Sequence, residues 1–197
     1  MWIKSEVLEG EFVVLEPLAE AHVPALAQAV RDGESWKLWF ANVPAPGDMG
    51  AYVANAMAAA ADGDIAYAVR AKATDKIVGT TRYYQVDAGN KRAMLGYTWY
   101  ADSVRRTPIN TECKLLLLNN LFESCDAIAV EFRTHFFNLA SRAAIERLGA
   151  KQDGILRHHM IMKDGSLRDT VIYSIVAGEW PAVKRNLLSK LGLSQSS

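Results

Sequence analysis

The feature that most constrains this chain is a change of rhythm after residue 101. Three strand-like runs come first: IAYAVRA (65–71), KIVGTTRYYQV (76–86) and KRAMLGYTWYA (91–101). They are joined by the short turns ATD and DAGN, the pattern of an antiparallel meander. A helix, roughly 108–125, then separates the third run from the next strand, AIAVEFRT (127–134). Strand, helix and strand in that order make a βαβ unit, which an antiparallel meander alone cannot contain.

The remaining segments fit around that core. EFVVLEPL (11–18) is β-rich and ends at Pro17. Helices are expected over 19–33, with Pro24 in the first turn, and over 47–64, closed by Gly63. NLASRAAIERLGA (138–150) is an amphipathic helix ended by Gly149. Two strands within 154–176 are joined by Lys163-Asp164-Gly165, and a last helix spans 179–192. The order β-α-α-β-β-β-α-β-α-β-β-α predicts a mixed α/β sheet of seven strands with helices on both faces. Residues 1–192 read as one domain and 193–197 as a frayed tail.

Charge excludes some functions. Lys plus Arg equals Asp plus Glu at 22 each, so net charge points to neither nucleic acid nor a membrane surface. No apolar run approaches about 18 residues, and MWIKSEVLEG lacks the apolar centre of a secretion signal. Cys113 and Cys125 would lie about 18 Å apart along a helix, at about 1.5 Å per residue, too far for a disulfide. Two reduced cysteines suit a cytoplasmic protein. His22, His135, His158 and His159 make no metal-ligand spacing, and no metal is expected.

Three stretches carry chemistry. In VRRTPIN (104–110), Thr107 is a natural N-cap and Pro108 suits the first helical position. The helix N-terminus, with Arg105 and Arg106 beside it, could hold a pyrophosphate. It could equally be a well-capped helix with two surface arginines. In GYTWY (96–100), Gly96 marks a bulge that would expose backbone groups in a cleft, or it relieves packing beside Tyr97 and Trp99. In NLASR (138–142), Asn138 can cap a helix with Ser141 one turn on, facing the mouth of the cleft or serving as an ordinary cap. Trp36, Trp39 and Phe40 could line an acceptor pocket or pack the first helices onto the sheet.

RRTPIN, GYTWY and NLASRAAIERLGA, in this arrangement, resemble the GNAT superfamily of acyl-CoA N-acyltransferases. NTECK, ASRAAIERLGAKQDG and DGSLRDTVIYSIV are similar to its branch of ribosomal-protein N-terminal acetyltransferases, the Rim type. The resemblance implies a sheet split into a V with acetyl-CoA in the split. It implies that Arg105, Arg106, Thr107, Pro108, Ile109, Asn110 and Thr111 hold the pyrophosphate, with Asn138 nearby. Backbone N–H groups near Thr98 and Trp99 would polarise the thioester carbonyl, and Ser141 would protonate the departing thiolate.

The family's phosphate loop has the form Q/R-x-x-G-x-G/A. Arg105 matches its first position, while Pro108 and Asn110 stand where small residues are expected. Pro108 has no N–H to donate, so Arg106 and Thr107 would take over part of that load. The implied reaction is acetyl transfer from acetyl-CoA to a primary amine, on a protein N-terminus or a small molecule. The alternative is a CoA-binding or interaction module with little catalysis. Glu34, Glu131 and Asp169 are candidate bases, none of them singled out by the sequence. A homodimer is compatible with the sequence.

Overall fold

The structure is a computed structural model and describes residues 2–193. The frayed tail expected at 193–197 falls, from residue 194 on, outside the described residues. The chain forms strands β1 (Leu8–Glu9), β2 (Val13–Pro17), β3 (Ile65–Ala71), β4 (Lys76–Asp87), β5 (Arg92–Tyr100), β6 (Ala129–His135), β7 (Lys151–Ile161) and β8 (Leu167–Val176). Its helices are α1 (Val23–Val30), α2 (Met49–Ala58), α3 (Pro108–Asn119), α4 (Leu139–Leu148) and α5 (Trp180–Leu191). The sheet has eight strands, in the order β1-β2-β3-β4-β5-β6-β8-β7. The expected seven all form. The eighth, β1, is a two-residue strand paired through Leu8 and Glu9 to Leu15 and Val14, too short to leave a periodic signal.

Every pairing is antiparallel except one. Strands β5 and β6 run parallel, as the intervening α3 requires, and they pair over three positions only, Arg92–Met94 against Ala129–Glu131. Beyond Met94, β5 stays on β4 while β6 stays on β8 out to His135. The sheet therefore opens into a V.

Two cores cover the two faces. Val130, Phe132, Ala93 and Leu95 pack against Leu117, Leu118 and Leu121 of the α3 segment and Leu187 of α5. On the other face Leu26 and Val30 of α1 meet Met49 and Val53 of α2 over Ala68 and Trp99. Strand alternation thus sends odd-numbered residues of β6, Glu131, Arg133 and His135, away from α3. Helix α3 continues as a π turn, Asn120–Ser124, which accounts for the expected end near residue 125. The expected 47–64 helix is shorter, with a 3-10 turn at Ala59–Asp62 before Gly63.

A buried carboxylate joins α3 to the first hairpin. Glu112 accepts hydrogen bonds from the backbone N–H groups of Glu11, Phe12 and Val13 at 2.7, 2.7 and 2.8 Å. Gly10 makes room for it, since a Cβ there would stand 2.4 Å from the Glu112 carboxyl carbon. Replacing the carboxylate by an amide turns one acceptor into a donor facing N–H groups. Glu112→Gln should therefore cost about 3 kcal/mol of stability, measured by urea denaturation, with no change in the slope of the transition.

Candidate active site

The V holds a cavity of about 520 Å³. Its floor is the bulge in β5. Thr80 pairs with Trp99 and Arg82 with Gly96, so one extra β5 residue is accommodated between them. Tyr97 takes a left-handed φ of 50° at that point. Gly96 is required by the ring beside it: a Cβ would sit 2.9 Å from Tyr84 Cε1. The Tyr84 and Tyr97 rings meet edge to face at 5.0 Å, and the Arg82 guanidinium lies 4.3 Å from the Tyr97 ring centre.

The helix entrance is built as its sequence suggests. Thr107 is extended, as a residue before proline should be, and its hydroxyl oxygen accepts from the Ile109 N–H at 3.5 Å. That hydroxyl donates to the Val104 carbonyl at 2.6 Å. Arg106 sits at φ 61°, and Arg105 pairs with Asp102 at 2.7 Å. At the other rim, Asn138 caps α4 by accepting from the Ser141 N–H at 3.0 Å. Among the described residues the Ser141 hydroxyl has no partner. Arg147 of α4 donates to Thr111 of α3 at 3.2 Å, tying the two rims together.

The residues singled out in the sequence therefore divide. Thr98, Trp99, Arg105, Arg106, Asn110, Asn138, Ser141 and Phe40 line the cavity. Thr107 is used in capping and Thr111 in the bond to Arg147, while Ile109 is buried in the core and Pro108 lies outside the lining. Trp36 packs on the α1–α2 core rather than in a pocket. Trp39 is 55% exposed and covers His135 from outside, with ring centres 5.0 Å apart. The expected base candidates are all engaged elsewhere: Glu34 with Lys37, Glu131 with Arg92 and Asp169 with Arg157.

Sequence reasoning missed the cavity's charge. Five Lys or Arg side chains line it, Arg105, Arg106, Lys114, Arg133 and Arg168, with His135 and His159, and no Asp or Glu does so among the described residues. Arg168 is 8% exposed, and its Nε donates to Thr170 Oγ1 at 3.0 Å. Burial lowers its pKa, but a guanidinium stays charged. His135 accepts from the Phe137 N–H at Nδ1, which leaves the proton on Nε2, and Nε2 has no partner. Burial, and then the charge of Arg168, hold His135 below the usual histidine range. Burial likewise pushes the Tyr84 phenol up to about 12, so it remains a donor at neutral pH. Strand β7 supplies His159 through a bulge between Leu156 and Met160, and His159 Nδ1 lies 3.0 Å from Thr170 Oγ1. Periodicity alone could not show this, because the bulge breaks the alternation of β7.

Residues 13–151 match the family model described as the acetyltransferase (GNAT) domain. A protein of T. thermophilus, solved as a candidate acetyltransferase, shares 33% identity and a TM-score of 0.85, with 97% of this chain and 100% of that one aligned. A GCN5-related N-acetyltransferase from Brucella melitensis shares 27% identity and a TM-score of 0.85, covering 96% and 86%. RimJ of Mycobacterium smegmatis, solved in complex with CoA-disulfide, has the same fold at 19% identity, TM-score 0.78, covering 95% of both chains. No curated protein matches the chain. The chain belongs to the GNAT acetyltransferase family, whose members take the acetyl group from acetyl-CoA. Among the described residues no helix is long and apolar enough to cross a membrane.

Lys114 provides a test of the buried charge. It is 5% exposed, donates to Thr98 Oγ1 at 2.7 Å and Thr81 Oγ1 at 3.3 Å, and has no carboxylate partner among the described residues. Burial pushes it down to about 8. An unfolded lysine titrates near 10.4, so between about pH 8 and 10 the unfolded chain binds more protons and stability rises with pH. The penalty is complete below pH 8, on the order of 3 kcal/mol. Lys114→Met should therefore be more stable than the parent at pH 7, with the difference shrinking by pH 10. Denaturant titrations at the two pH values measure it.

Proposed function

We propose that this protein N-acetylates primary amines whose free base is already populated near neutral pH. The observation that carries this reading is the cavity without a carboxylate at the split of β5 and β6. An amine must shed its proton to attack a carbonyl carbon. A peptide α-amine, with a pKa of about 8, is about a quarter free base at pH 7.5, whereas a lysine side chain near 10.4 is only about 0.1% so. Cations around the cavity lower an incoming ammonium's pKa further, because like charges disfavour the protonated form. An α-amino acceptor therefore needs no dedicated carboxylate base, and water or a histidine suffices.

The residues fit acetyl-CoA, which when bound supplies the acetyl group as a thioester. The parallel ladder ends at Met94, so β5 and β6 face each other with unpaired backbone along the opening. The bulge at Gly96–Trp99 would aim backbone N–H groups at the carbonyl oxygen as negative charge develops there. Arg106 and the Asn110 N–H at the first turn of α3 would hold a pyrophosphate, with Arg105 joining from its pair with Asp102. The amide that Pro108 lacks is one that a helix start leaves without an intrahelical partner in any case. Ser141 would return a proton to the departing sulfur.

The acceptor is an α-amino group of a protein or of a small molecule. Acetyl-CoA calorimetry tests the cofactor site, and turnover of a broad amine panel separates this reading from a module that binds without turnover. Arg106→Ala should weaken acetyl-CoA binding about tenfold and Arg105→Ala less, since Asp102 already engages Arg105. Unchanged affinity in both would place the phosphates elsewhere. Ser141→Ala should lower kcat about tenfold or more while leaving the acetyl-CoA Kd unchanged. An unaltered kcat would remove Ser141 from the proton transfer.

A further inference from the structure

We infer that the acceptor amine carries a carboxylate, which Arg133 and Arg168 bind on the face of the sheet away from α3. The inference rests on the acetyltransferase reading above and goes on to name the acceptor's second functional group.

Position separates these two cations from the phosphate-binding pair. Arg105 and Arg106 stand at the α3 entrance, whereas Arg133 lies on β6 and Arg168 on β8. His135 pairs across the ladder with Thr170, and the two arginines flank that pair from opposite sides, Arg133 opposite Ile172 and Arg168 two residues beyond Thr170. Strand alternation therefore puts Arg133, His135, Arg168 and Thr170 on one face, and all four line the cavity. Val130 and Phe132, on the opposite face, are in the α3 core, and Phe132 also reaches the cavity where the sheet splits.

These donors are not fully used within the protein. Arg168 is nine-tenths buried, yet among the described residues its single hydrogen bond is from Nε to the neutral Thr170 hydroxyl. The Arg133 Nε and the His135 Nε2–H are buried without a partner. Arg133 makes a long ion pair with Glu131, at 3.8 Å, and shares that carboxylate with Arg92. Leaving buried donors and a buried cation unpaired is costly, and an anionic ligand would relieve that cost. A carboxylate suits two guanidiniums well, because each presents a planar fork of donors. Charge also selects against the usual competitors: a diamine or a lysine side chain flanked by cations would enter against repulsion.

The test uses competing pools with saturating acetyl-CoA and mass-spectrometric detection of acetylated products. One pair of pools contains the common amino acids and their α-carboxamides. A second contains peptides with an acidic residue next to the N-terminus and their Asn or Gln counterparts. Compared per mole of free-base amine, at least one carboxylate pool should be acetylated about tenfold faster than its neutral partner, and the pair that responds identifies the source as a free amino acid or an acidic peptide. Arg168→Gln and Arg133→Gln should each reduce that ratio toward one while the acetyl-CoA Kd stays fixed. The second variant, at the more exposed site, serves if the first does not fold. Ratios near one in the parent, or a ratio that survives in both variants, would overturn the inference. If acetyl-CoA binds but no amine is turned over, the transferase reading fails by itself. Calorimetry of acetylglycine against acetylglycinamide, with CoA present, then decides the carboxylate site: a preference for acetylglycine lost in Arg168→Gln supports it, and equal binding refutes it.

Discussion

Three residue pairs hold the two halves of this sheet together. Arg92, Ala93 and Met94 meet Ala129, Val130 and Glu131, and there the only parallel ladder among the described residues stops. A longer ladder would close the V and leave no cavity. A shorter one would leave β6–β8 attached mainly through helices. The short ladder survives because both strands are anchored on their outer sides, β5 by β4 and β6 by β8. Cores on both faces fill in behind it.

The two rims of the opening are tied by interactions that differ in kind. On the α3 side, Thr107 and Pro108 complete a helix start from local sequence alone. On the α4 side, Asn138 does the same for Ser141. Neither fixes the distance between the rims. That falls to Arg147 on Thr111, and to Arg142 and Glu146, both bonded to the Tyr173 hydroxyl. These contacts span 27 to 36 residues of chain, so their partners are invisible to any local pattern.

This explains what could be read from the sequence and what could not. The βαβ unit, the bulge at Gly96, and the caps at Thr107 and Asn138 follow from periodicity and turn chemistry, which are local. The cavity's charge does not. Arg133 and Arg168 look like ordinary strand residues, and nothing near either of them in the sequence shows that they share a face. Lys114 reads as part of a charged helix start, and only packing reveals it beneath Thr98. The aromatic cluster divides for the same reason. Trp36 enters the α1–α2 core, Trp39 covers His135 and Phe40 reaches the cavity, although the three are near neighbours in sequence.

The absence of net charge takes on a different meaning once the cavity lining is known. A chain that balances 22 cations with 22 anions, yet gathers five cations and no carboxylate around one hollow, must display its anions elsewhere. Such a molecule concentrates positive charge at the V despite its neutrality. An anion diffusing nearby is turned toward the V before it touches the protein, while a cation is deflected toward the outer surface. The capture radius of the hollow is then set by the Debye length of the medium, about 8 Å at physiological ionic strength, rather than by its width.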